Sequence, residues 1–126
     1  MLKKREHGKR NKKLSKQLFD GGIYLDWTIT TAFYSAIHLI EAKVLPCTIR
    51  GQQCANINDV MDAYRMRGRH ASRERLAQDF LPMEVYVRYK WLDDKSRYSR
   101  YTTYKITKTE AVKACEYINY IEDACK

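Results

Sequence analysis

The sequence predicts an all-α protein, a bundle of four to five mainly antiparallel helices. Three observations predict it. Apolar residues recur at helical spacing over residues 27–44 and again over 111–122. Only five Gly and two Pro punctuate 126 residues, few for a protein built on many tight turns. No apolar–polar alternation runs long enough to pair two strands.

The elements follow in order. Residues 1–13 carry seven basic residues and one acid, Glu6, and read as a basic arm or the solvated start of a first helix. Leu14, Leu18 and Phe19 then form a stripe that carries this helix to about Asp20, where Gly21 and Gly22 end it. Residues 14–126 form a single domain. Asp26 is the expected N-cap of a second helix. Its stripes, Trp27, Thr30/Thr31, Tyr34, Ile37/His38, Glu41 and beside them Phe33, Ile37, Ile40, Val44, cover so much of the circumference that the helix should be central and buried, with Trp27 and Tyr34 in the core. Pro46 stops it, and residues 46–56 read as a loop. Asn58 caps a short helix through Val60, Met61 and Tyr64, and Gly68 breaks it. Ser72 caps the next, with Arg73, Glu74 and Arg75 outward and Leu76 and Phe80 inward. Pro82 suits the first turn of another helix, on which Val85, Tyr89, Leu92 and Ser96 share a face. Residues 101–106 connect to a last helix capped by Thr107 or Thr109, with a stripe of Val112, Cys115, Ile118 and Glu122 and with Ala111, Ala114 and Ile121 alongside.

Charge narrows the function. Lys plus Arg number 24 against 15 Asp plus Glu, a net +9. Such a field attracts polyanions, nucleic acid or an anionic membrane surface. No apolar run reaches the ~18–20 residues that span a bilayer, and no apolar segment of signal-peptide type follows the basic start, so a cytoplasmic protein with no membrane partner is expected. The four cysteines lack metal-type CxxC spacing and are expected as free thiols. No metal or cofactor is expected, although Cys47, Cys54 and His70 could be imagined around zinc. GxGxxG, P-loop and HExxH motifs are all missing.

Residues 86–105 interleave six cations (Arg88, Lys90, Lys95, Arg97, Arg100, Lys105) with six aromatics (Tyr86, Tyr89, Trp91, Tyr98, Tyr101, Tyr104). Cations for phosphate beside rings for bases are what a single-stranded nucleic acid needs. Arg97, Arg100, Tyr101 and Tyr104 are the expected contacts, with Lys12 and Lys13 of the basic arm adding affinity without sequence preference. His38 and Glu41 are expected in a buried polar network.

Three fragments resemble one family. YLDWTITTAFYSAIHLIEA (24–42) resembles the HEPN pattern of a Trp-containing helix with FYxAxHxxEA. HASRERL (70–76) resembles the following HxxR segment, and YKWLDDKSRYSRY (89–101) resembles the YxxLxxxSxxxRY stretch of small HEPN-like proteins. The resemblance spans residues 14–125. It implies a HEPN-like four- or five-helix bundle that dimerises and binds RNA. Many such proteins are metal-independent ribonucleases of toxin–antitoxin or antiviral defence systems; others are noncatalytic nucleotide- or RNA-binding subunits of larger complexes. Catalytic members carry Arg-x(4–6)-His, and here Arg65 precedes His70 at that spacing. Met66 and Gly68 depart from the family pattern, which has a polar residue after the Arg and keeps the motif on a helix. An imidazole can move the proton of a 2′-hydroxyl, and a guanidinium can hold the phosphate. Arg65, His70 and Arg73 are therefore the expected catalytic residues.

Overall fold

A computed structural model describes residues 2–101 and 105–126, the side chains of residues 2 and 101 excepted. Within them the chain is mostly helical. Six helices appear among the described residues, not the four to five expected, because the short stretch after the Pro46 loop divides at Gly68 into two: α1 (Leu2–Gly21), α2 (Leu25–Val44), α3 (Ile57–Tyr64), α4 (Arg69–Phe80), α5 (Met83–Tyr101) and α6 (Lys108–Ala124). One hairpin, β1 (Cys47–Ile49) and β2 (Gln52–Cys54), interrupts them.

The basic arm is helix from Leu2 onward. It is held less by its apolar stripe than by small residues. Leu14 is exposed, and Leu18 and Phe19 are only half-buried. Gly8 instead lies so close to α2 that a Cβ there would stand 2.7 Å from Leu39 Cγ. Ser35 Oγ donates to Gly8 O at 2.6 Å, and one heptad away Ser15 Oγ donates to Thr28 O at 2.7 Å. Partners that run in opposite order along the two chains mark α1 and α2 as antiparallel.

α2 is central, packing against α1, α4, α5 and α6. Its N-cap is Tyr24, not Asp26, which lies inside the first turn where a carboxylate suits the helix dipole. Trp27 and Tyr34 are not core: they are 50% and 40% exposed. The buried face is Ile29, Ala32, Phe33, Ala36, Ile37, Leu39 and Ile40. Phe80 and Val112 also face solvent against expectation. In α6 the inward face is Ala111, Ala114, Ile118 and Ile121, followed by the buried C-cap Cys125, and small alanines let that helix approach closely. The α5 stripe is as read: Val85, Tyr89, Leu92 and Ser96 are buried.

The expected loop at 46–56 contains the hairpin. Cys47 faces Cys54 and Ile49 faces Gln52. Arg50 and Gly51 turn it with φ of +51° and +80°, the left-handed pair that two-residue hairpins require. Ile49 and Cys54 join Leu45, Ile57, Val60, Ala63, Tyr64 and Leu76 in a second, smaller core. The cap of α3 is Asn56, whose side chain accepts from Asp59 N at 3.0 Å, not Asn58. α4 begins four residues before Ser72 would place it: Gly68, at φ +89°, precedes Arg69. Thr107 caps α6 through a reciprocal box with Glu110.

Candidate functional site

The site lies where α4 and the second half of α5 meet α2. Helix α4 starts at Arg69 because Gly68 supplies the positive φ, and this puts His70 on the first turn. Facing it on α5 is Asp93, one turn beyond Tyr89 on the buried stripe. His70 and Asp93, like Glu74 with Lys90 and Tyr86, pair in antiparallel order. A short turn at Leu81–Pro82 between α4 and α5 imposes that order.

His70 Nε2 and Asp93 Oδ2 share a hydrogen bond at 2.8 Å, and Nε2 stands 2.7 Å from Oδ1. Arg97, one turn along α5, brings Nε to 3.2 Å from Oδ1, a charge contact without hydrogen-bond alignment. The Asp93 side chain is wholly buried, whereas those of His70 and Arg97 are 35% and 46% exposed. Burial pushes the Asp93 carboxyl up to about 6; Lys90 and Arg100 oppose the rise and Asp94 and Glu74 add to it. That brings a carboxyl into the range where an ordinary imidazole titrates, near 6.5. Among the described residues nothing hydrogen-bonds His70 Nδ1. Tyr89 lies beneath, its hydroxyl buried without a partner among the described residues and its pKa raised by that burial.

Arg100 extends the site. Its Nη1 donates to Ser96 Oγ at 2.8 Å and reaches Tyr34 Oη on α2 at 3.3 Å. Cations and an accessible imidazole thus line one edge of the bundle, a geometry suited to holding a phosphate and moving a proton beside it.

Other expected residues lie elsewhere. Arg65 is the C-cap of α3, left-handed at φ +56° and exposed, with no side-chain hydrogen bond or ion pair among the described residues. Gly68 separates it from His70, so the two do not share a helix. Arg73 turns away from His70 and donates Nε to Glu41 Oε2 at 2.8 Å. Glu41 is buried and also takes Lys4 on Oε1 at 2.7 Å. His38 makes no hydrogen bond with it; His38 packs edge-on against His7, 4.9 Å between ring centres. Burial and then His7 lower the His38 pKa, with Glu41 opposing. Lys12 is tied to Glu122 at 2.7 Å, and Lys13 is exposed at a groove between α1 and α6. The side chain of Tyr101 and all of Tyr104 lie outside the described residues. Cys47, Cys54, Cys115 and Cys125 are free thiols.

Sequence reasoning missed Asp93. Its signal was present: a carboxylate on the otherwise buried side of α5, at i+4 from Tyr89.

Compared with known proteins, the chain matches no family model, no curated protein and no solved structure. The HEPN resemblance therefore rests on the sequence fragments alone.

Proposed function

We propose that this chain is a HEPN-type RNA-binding domain that cleaves single-stranded RNA without a metal ion, His70 and Asp93 moving the proton. One observation carries the reading: a solvent-accessible imidazole held by a wholly buried carboxylate, with Arg97 and Arg100 beside it. Asp93 accepts the Nε2 proton and so leaves the Nδ1 lone pair for substrate. Nδ1 takes the proton of a 2′-hydroxyl, and the freed oxygen attacks the adjacent phosphorus. The bond to the 5′-oxygen breaks, that oxygen takes the proton back from the His70 imidazolium, which regenerates the imidazole, and a 2′,3′-cyclic phosphate remains. Guanidinium charge offsets the negative charge that grows on the phosphate oxygens. Action as a homodimer in a toxin or antiviral defence system belongs to the same reading and comes from the resemblance.

A second reading is a noncatalytic HEPN-like RNA- or nucleotide-binding subunit of a larger complex. The placement of Arg65 favours it, since Gly68 parts the Arg from the His.

The test is cleavage in EDTA of a labelled single-stranded RNA beside the matching DNA. RNA should be cut to 2′,3′-cyclic ends and DNA left intact. His70→Ala should cut the rate by about 100- to 10,000-fold. His70→Gln, which keeps a hydrogen bond to Asp93, should lose as much. Intact RNA, or a fully active His70→Gln, would overturn the nuclease reading.

A further inference from the structure

The two rings that the helical pattern of α2 assigns to the core stand in solvent. Trp27 is 50% exposed and Tyr34 40%. They lie seven residues apart, hence on one side of α2 and about 10 Å apart along it. Between them sit Thr30 and Thr31, short buried side chains, the Thr31 hydroxyl turning back to Trp27 O at 2.7 Å. Tyr24, the N-cap of α2, is also exposed.

This aromatic edge runs into the site. The Arg100 guanidinium reaches Tyr34 Oη at 3.3 Å and lies over the same ring, 5.7 Å from its centre, so a cation and an exposed ring already meet at this edge. Phe33 links the same turn of α2 to His70, 6.1 Å between ring centres.

We infer that Trp27 and Tyr34 form a stacking platform that holds the bases of a single-stranded nucleic acid while Arg97 and Arg100 hold its phosphates. This rests on the proposed RNA reading and names what that site binds beyond the reacting phosphate. Charge decides the occupant. A second copy of a chain carrying +9 would bring like charge to an edge that already holds two arginines, whereas a polyanion with flat apolar rings satisfies both features. Stacking tolerates any base, because each has a π-face, so the platform supplies affinity with little sequence preference.

The experiment uses full-length protein carrying Trp91→Phe, which leaves Trp27 as the sole tryptophan. It is titrated with a 2′-O-methyl oligouridine, which has no 2′-hydroxyl to attack, and with inorganic polyphosphate of equal charge. Tryptophan emission should be quenched by the oligonucleotide and not by polyphosphate. Trp27→Ala should weaken oligonucleotide binding about ten-fold or more and leave polyphosphate binding unchanged, with Tyr34→Ala acting in the same direction. Absent or equal quenching by the two polymers, or unchanged affinity in both variants, would overturn the platform, and so would a stable dimer that dissociates on Trp27→Ala. The two proposals fail separately. Quenching without RNA cleavage sinks the nuclease and keeps the platform; His70-dependent cleavage indifferent to Trp27 and Tyr34 does the reverse.

Discussion

Among the described residues the chain buries two carboxylates, Glu41 and Asp93, and it treats them differently. Glu41 gives each oxygen its own permanent cation, Lys4 from α1 and Arg73 from α4, at 2.7 and 2.8 Å. It ties three helices together and leaves nothing over for a ligand. Asp93 has as its closest partner an imidazole, which can lose its charge, and Arg97 stands off at 3.2 Å. Burial lifts its carboxyl to about 6. Equal burial therefore serves two ends: a carboxylate among fixed cations braces a fold, and one beside a titratable group holds a proton ready to move.

The comparison breaks first at Glu41. Glu41→Ala strands two cations and should cost about 3 kcal/mol of unfolding free energy. That is the lower end for a broken buried pair, because Lys4 and Arg73 are partly exposed and can turn to water. Chemical denaturation measures it; a loss below about 1 kcal/mol would mean that Glu41 is no brace.

Asp93 sharpens the contrast through pH. The folded carboxyl titrates near 6 and the unfolded one near 3.8, so between these values the folded state holds more protons. Its share of stability is full below about 3.8 and falls as pH rises to about 6, by at most about 3 kcal/mol. Asp93→Asn should flatten that part of the stability–pH curve. In the proposed RNA reaction, wild-type cleavage should rise with pH through about 6 as Asp93 ionises, and the Asn variant should lose this rise. An unchanged curve in Asp93→Asn would place the titration elsewhere.

A smaller effect separates the arginines. Arg97→Ala should slow cleavage about ten-fold, since one charge-assisted contact to phosphate is worth about 1.5 kcal/mol or more. Arg65→Ala, across the Gly68 break, should change it less than about two-fold. Equal losses would restore the Arg65–His70 pairing that the spacing suggests.

Much of the fold was legible because helices advertise their buried faces. The α5 stripe of Val85, Tyr89, Leu92 and Ser96 and the Thr107 cap are where periodicity and capping chemistry put them. What escaped was set by tertiary geometry. Three-residue strands are too short to alternate, and a left-handed Arg50 is a poor turn signal, so the hairpin was unreadable. Gly8 and Ser15 carry no apolar signature, yet their smallness lets α1 close on α2. Trp27 and Tyr34 matched the helical period, but α2 turns the adjacent Phe33 and Ile37 inward instead. At the site, His70 was visible as a residue type at a telling distance from Arg65. Its actual partner, Asp93, is 23 positions away and is found only once α4 and α5 are folded side by side.

The most direct measurement is single-turnover RNA cleavage in EDTA, rate per folded molecule, for wild type, His70→Gln and Glu41→Ala, with unfolding free energy measured on the same samples. The expected result is a crossed one: His70→Gln loses cleavage and stays folded, while Glu41→Ala loses stability and still cuts. Cleavage that survives His70→Gln, or that disappears in folded Glu41→Ala, would contradict the division between a chemical carboxylate and a structural one.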